Sequence, residues 1–375
     1  MHPSSLLSYY PTYAILDEIA ALGNYKNLTI FIDLKNCLQT TYMEHAIVNI
    51  IESSKNSKYM DTSIFSSMVS FLSFHKIWGM KRGVNVEFII FFETGHSSYH
   101  KNISRKYKIS RKIDDLYGLP RQDREMFYNV LQANFQLIEN AFNKMPKIKV
   151  IKLPRLEADF IPYYLVSRKK VPYDGSVGYI TYSNDHDLWQ CAADHSYIFS
   201  KSAHSKKIIK SGNIMSMFLK KPVDIPDVYL PLAMSIIGDQ GDDVDGIPNI
   251  GPARFIQIFD QFVSMTGDIW DIYKKVENNQ DLFNTIPPSF ANKYLKSAVQ
   301  HELDNKRISN NLKLVSFELL SRALDNPSST SMIDKRDLIE KAVNTSNDYP
   351  LDSMKMALEK AGVFLEESSI DFLYI

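Results

Sequence analysis

Six carboxylates in the first half of the chain stand where short apolar runs end. Asp33 follows Leu28–Ile32, Glu93 follows Val86–Phe92, Glu157 and Asp159 follow Ile148–Leu153, and Asp185 and Asp187 follow Val177–Tyr182. Gathered in one place, such groups repel one another and raise each other's pKa unless cations neutralise them. All-oxygen donors with few histidines favour Mg²⁺ or Mn²⁺ over zinc. Two such ions ~3.5–4 Å apart can activate a water and stabilise the leaving oxygen of a phosphodiester. Each acid taken singly has a plainer reading. An Asp after a strand is a common N-cap or turn residue, and Asp185 and Asp187 could simply shape a turn. The coincidence of four run ends is what favours a shared site. His186 sits among carboxylates and reads as a bystander. Cys37 and Cys191 are too few for a disulfide framework or a four-ligand zinc site and read as buried small residues.

For these acids to meet, the apolar runs must be parallel strands of one sheet. The runs are short and rich in β-branched and aromatic residues, with a fifth at Tyr197–Phe199. Helical patterns separate them over Asp61–Gly79, Arg124–Met145 and Glu157–Lys170. Strand–helix alternation with fully apolar strands predicts an α/β fold: a mostly parallel central sheet flanked by helices. In such a sheet ligands bind beyond the carboxyl ends of the strands, where the acids lie. Near residue 222 the character changes. Pro222, Pro226 and Pro231 punctuate the chain, no convincing strand follows, and the rest reads as helices. The expected division is 1–220, an α/β domain, and 221–375, a helical domain.

The 375 residues carry 43 Lys+Arg against 43 Asp+Glu, with 45% hydrophobic and 23% charged residues, ordinary for a globular protein. The longest apolar runs, such as Phe88–Phe92, fall far short of the ~20 residues of a membrane span. No secretion signal opens the chain, so the expectation is a soluble intracellular protein with no membrane partner. Neutrality here is a cancellation. Lys101–Lys112 holds Lys101, Arg105, Lys106, Lys108, Arg111 and Lys112 without an acid, and Lys201–Lys210 holds four lysines without one. Acids concentrate at Asp239, Asp242, Asp243 and Asp245. The first basic stretch has few large apolar residues and is expected to lack fixed structure without a ligand.

The most specific string is Gly238-Asp239-Gln240-Gly241-Asp242-Asp243-Val244-Asp245-Gly246-Ile247-Pro248-Asn249-Ile250-Gly251-Pro252. It reads as a glycine-bracketed hairpin opening a helix, a geometry that offers backbone amides to phosphate; a plain helical connection is the alternative. Together with Asp33, Glu157-Ala158-Asp159 and Ser183-Asn184-Asp185-His186-Asp187-Leu188, it resembles the flap endonuclease/5′-3′ exonuclease family. The order and spacing are most similar to the ribonuclease H branch of T-even-like tailed phages. The likeness runs through most of residues 28–260 and is faint beyond.

That resemblance implies a PIN-like nuclease core with a helix-hairpin-helix type motif near 238–260. It implies a metal-dependent enzyme removing nucleotides, flaps or RNA primers from 5′ ends, acting as a monomer in the cytoplasm, that of an infected bacterial host if phage-encoded. Asp33, Glu93, Glu157, Asp159 and Asp185 would surround one Mg²⁺, and Asp187, Asp239 and Asp242 the second, with Mn²⁺ as a substitute. A basic arch near 94–125 would place Lys101, Lys108 and Arg111 on phosphates, with Arg105 nearby and Tyr99 or Tyr107 stacking on a base. Gly246, Gly251 and Arg254 would hold duplex backbone, in the family with a potassium ion. Three departures stand out. Glu93 replaces the usual Asp, Phe160 replaces an acid, and Ala253 replaces a common Lys beside Arg254.

Two rivals follow from the same residues. A PIN-type single-strand endoribonuclease shares strand-end acids but generally lacks the Gly238–Gly251 motif. A DNA-binding relative without catalysis would draw support from Phe160 and Glu93, against retention of Asp33, Asp159, Asp185, Asp187, Asp239 and Asp242. An aspartyl-nucleophile phosphatase fits less well, because Asp33-Leu34-Lys35 lacks the second acid. The tail Ser369–Ile375 ends in four large apolar residues, which either tuck into the chain's own helices or, as in the terminal peptides of phage replication enzymes, hold a sliding clamp.

Overall fold

The computed structural model describes residues 13–35, 63–108, 120–172, 175–201, 206–283, 292–326, 328–345 and 349–360. Six strands form the central sheet: β1 (Asn27–Asp33), β2 (Asn85–Thr94), β3 (Ile148–Pro154), β4 (Val177–Tyr182), β5 (Ser196–Lys201) and β6 (Lys206–Ile209). Their order is β3-β2-β1-β4-β5-β6, all parallel except β6, which runs antiparallel to β5. The order reverses between β1 and β4. That switch point opens a crevice beyond the strand ends, where Asp33 and the Ser183–Asp187 turn lie on either side.

Period-two alternation explains why these runs are strands. Ile30 and Ile32, with Phe88, Ile90 and Phe92, join one apolar cluster under the helices Ser63–Arg82 and Arg121–Phe142. Phe31, Ile89 and Phe91 point to the other face and join a second cluster. Both faces are covered, so the central strands are largely apolar, and partly exposed polar residues such as Lys149 and Lys152 fall on the edge strand β3. The second cluster continues without a break through Leu232, Leu312, Leu320 and Ile339, so most helices after residue 220 share a core with this face of the sheet, while the helix Leu351–Lys360 places Met354 and Leu358 in the first cluster.

Two expectations need correction in detail. The helix expected over Glu157–Lys170 spans only Ile161–Ser167, because Glu157, Ala158 and Asp159 belong to the loop leaving β3. After residue 222 there are strands, each two residues long: β7 (Gly238–Asp239) and β8 (Val244–Asp245) pair antiparallel. Elements that short leave no periodicity to read. Among the described residues no helix is long and apolar enough to cross a membrane.

One buried charge lies far from the acids. Lys76, on the helix Ser63–Arg82, is 4% exposed, and its Nζ has no hydrogen-bond partner. Burial, with help from Lys147, pulls its pKa from 10.5 down to about 8. A lowered lysine pKa makes the charged form costly in the folded state. Stability is therefore gained as pH rises from about 8 to 10.5, and the penalty is fully present at pH 7. At ~1.4 kcal/mol per pKa unit the penalty is about 3 kcal/mol. We expect Lys76→Met to raise the melting temperature by several degrees at pH 7 and by much less at pH 10. An equal gain at both pH values would refute the electrostatic cause.

Candidate metal centre

Parallel register delivers the predicted acids to one edge. Asp33 is the last residue of β1, and Glu93 is the penultimate residue of β2. Lys35 donates to Glu93 Oε1 at 2.6 Å. Sequence reasoning missed this lysine, since nothing local marks it as a partner of an acid 58 positions away. Glu157 and Asp159 follow β3, and Phe160 is wholly buried beside the helix Ile161–Ser167. That position serves the core, not the site.

Beyond β4 the backbone is shaped by the acids themselves. Asp185 N–H donates to Ser183 Oγ at 3.0 Å, and Asp187 N–H donates to Asp185 Oδ1 at 3.1 Å. The turn reading of Asp185 therefore holds alongside any ligand role. Asp187 opens the short 3₁₀ turn Asp187–Cys191, whose Leu188, Trp189 and Cys191 are buried and anchor it. His186 is exposed and rests on Trp189, as expected of a bystander.

The remaining acids come from the hairpin after the helix Leu230–Ile237. Asp239 accepts from Gly241 N–H at 2.9 Å, and Asp243 takes a left-handed backbone (φ 55°), which turns Asp242 inward. One carboxylate oxygen each from Asp187, Asp239 and Asp242 lies within 4.8 Å of the others. Asp187 Oδ1 is buried without any hydrogen-bond partner. A buried carboxylate oxygen without a hydrogen-bond partner in an all-oxygen cluster is costly, and a hard divalent cation would satisfy it. The donor set fits such an ion.

Electrostatics link this triad to the other acids. Burial, then Asp185, Asp242, Asp239 and Asp159, pushes the Asp187 carboxyl well above the usual range. Asp159 is raised likewise by burial and by Glu157, Asp185 and Glu93, with Lys108 opposing. Burial also acts to raise Glu157, but Lys108 and His100 outweigh it and leave that group lowered.

The basic stretch departs from expectation. Its described part, through Lys108, carries structure where none was expected: it follows from the helix Ser98–Ile103, capped by Ser97, whose Oγ lies 2.7 Å from His100 Nδ1. Tyr107, expected to stack on a base, is buried. Its ring stacks on His100 (centroids 4.8 Å, 15°), and its hydroxyl lies 2.9 Å from both Glu157 Oε2 and Asp242 Oδ2. Lys108 Nζ sits 2.8 Å from Glu157 Oε1 and 3.0 Å from Asp242 Oδ2. The acids hold this segment together with the core, to which Tyr107 belongs and against which Ile103 packs. Tyr99 is half-buried against the core, and Lys101 and Arg105 are exposed. Arg111 and the arch through residue 119 lie outside the described residues, as do Cys37 and the Ser369–Ile375 tail.

Gly246 and Gly251 frame an open cleft of about 940 Å³ that includes Arg254 and Arg307. Arg254 donates to Asn249 O and stacks on Tyr294 (4.5 Å). Asn311 Nδ2 donates to Ser235 O and Asp245 O, both at 2.8 Å, and so ties the hairpin to the helix Arg307–Val315. Neither Asn311 nor Arg307 carries a sequence signal, because their partners lie more than 60 positions away.

Comparison with known structures bears on this arrangement. A 5′-exonuclease of phage T5 bound to zinc superposes with a TM-score of 0.54 at 19% identity, covering 85% of this chain and 100% of that one. The chain has the flap endonuclease/5′-3′ exonuclease fold. A T5 flap endonuclease in a complex with DNA and metal ions gives 0.51 at 18% identity, covering 90% and 99%. By sequence, the chain is similar to a 5′-3′ exonuclease of Aquifex aeolicus, 27% identical over 172 residues. That match spans 46% of this chain and about half (54%) of the relative. No family model matches the sequence.

Proposed function

We propose that this chain is a divalent-metal-dependent 5′-nuclease that removes nucleotides or flaps, including RNA primers paired to DNA, from 5′ ends. The observation that carries this reading is the Asp187–Asp239–Asp242 triad, with Asp187 and Asp242 buried, beside further acids at the ends of four parallel strands. The similarity to the Aquifex aeolicus exonuclease supports it. Asp187, Asp239 and Asp242 would hold one ion, and Asp33, Glu93, Glu157, Asp159 and Asp185 would hold the second. Mg²⁺ suits these donors, with Mn²⁺ as a substitute. When bound, such ions supply Lewis-acid polarisation of the phosphate and lower the pKa of an attacking water.

The chain's own cations act on the nucleic acid. Lys101 and Arg105, exposed beside the site, would draw the phosphodiester in, and Lys108 and Arg111 would offset charge developing on it. Gly251, at the start of the helix Pro252–Thr266, lets a phosphate approach backbone amides, and Arg254 is held ready by its two contacts. A potassium ion at this hairpin, a clamp contact through Ser369–Ile375 and a monomeric state complete the reading.

The test is direct. A 5′-labelled flap, a nicked duplex and an RNA–DNA hybrid are incubated with Mg²⁺, then with chelator. Chelator-sensitive release from the 5′ end is expected, and failure to cut all three overturns the reading. Cleavage of unpaired RNA alone would favour the endoribonuclease rival.

A further inference from the structure

Two of the acids assigned to metal are already held by a cation of the chain. Lys108 Nζ bridges Glu157 and Asp242 at 2.8 and 3.0 Å, and the Tyr107 hydroxyl spans the same two carboxylates at 2.9 Å each. Lys108 N–H donates to Asp242 O at 3.0 Å, a third tie to one residue. Lys108 has a left-handed backbone (φ 52°) at this point. Glu157 leaves the sheet and Asp242 belongs to the hairpin, so this one dipeptide joins the two sources of ligands.

We propose that Tyr107 and Lys108 form a built-in cationic latch that holds Glu157 and Asp242 together until divalent ions enter, and that ion entry releases them. The inference rests on the metal reading above. An ammonium group and a divalent ion compete for the same carboxylate charge, and Asp242 belongs both to the triad and to the latch. Release frees the Lys108 ammonium for phosphate. Metal loading and readiness of the basic stretch are thereby coupled, and the coupling is reciprocal: whatever draws Lys108 away tightens metal binding. Tyr107 is a positioning residue here, with its ring seated on His100, which Ser97 fixes in turn.

The test needs no turnover. Ca²⁺ is titrated calorimetrically, without nucleic acid, into the full chain and into Lys108→Met and Lys108→Arg. Melting temperatures are measured with and without Ca²⁺. Lys108→Met should bind about fivefold more tightly or better, at the low end of typical couplings, while Lys108→Arg stays near the parent. Lys108→Met should also gain more in melting temperature on adding Ca²⁺. A merely structural role would lower both melts equally. In the parent, Ca²⁺ should speed hydrogen exchange across residues 104–108. Ca²⁺ affinity that is unchanged or weaker in Lys108→Met overturns the latch alone, whereas no binding to any of the three overturns the metal reading with it.

Discussion

Asp187→Asn should abolish useful cleavage while leaving the metal-free protein at least as stable as its parent. Losing a group that merely orients a metal ligand already costs ~10–100-fold, so losing a ligand should cost more than about 10²-fold in turnover. Stability moves the other way. The Asp187 carboxyl is buried, and Asp185, Asp242 and Asp239 crowd it, so its ionised form is the expensive one without a cation. A raised acid pKa means that the folded chain binds more protons than the unfolded chain. Metal-free stability must then fall as pH rises above the ordinary carboxylate value of 3.8 toward the folded value. Asparagine removes that slope at this position. Thermal melts across pH with chelator, set against melts with Mg²⁺, separate the two effects. Retained cleavage by Asp187→Asn would remove this carboxylate from the centre, and collapse of its folded transition would make the role structural.

The second large effect separates two glycines that look equivalent in sequence. A Cβ on Gly246 would lie 2.1 Å from Ile237 O and 2.3 Å from its carbonyl carbon, contacts that only backbone displacement relieves. A Cβ on Gly238, opposite, would likewise lie 2.5 Å from Gly246 N. Gly246→Ala must therefore pry apart the hairpin that carries Asp239 and Asp242. We expect a loss of about 3 kcal/mol, seen as a drop of several degrees in melting temperature and weaker divalent-ion binding. Gly251 meets nothing within 4 Å and has an ordinary φ of −103°. Gly251→Ala should cost no more than about 1 kcal/mol as an N-cap change, yet still weaken duplex binding if phosphate approaches there. Equal melting temperatures for the two variants would contradict the packing argument.

The legible part of this molecule was local. The largely apolar runs Leu28–Ile32, Val86–Phe92, Ile148–Leu153 and Val177–Tyr182 mark buried parallel strands, because side chains of successive residues enter the clusters on both faces of the sheet. A parallel sheet then obliges the acids that follow those runs to share an edge. The hairpin was readable because turns demand particular residues, and Gly246 tolerates no other. Those inferences need only the chain's own periodicity and its turn chemistry.

What sequence alone could not decide were the partnerships across distance. Nothing in Lys101–Lys112 shows that Tyr107 turns inward to two carboxylates, or that Lys108 serves them as a cation; the segment reads as solvated charge. Lys35 on Glu93 and Asn311 on the hairpin are equally silent, since each partner is set by how strands and helices stack. The sequence by itself determined that strand-end acids would face one crevice, because a side chain's edge and face follow from strand direction and period. Only the tertiary structure decided which acids pair with a cation and which, like Asp187, are left with a bare oxygen, because desolvation and charge balance depend on everything packed around them.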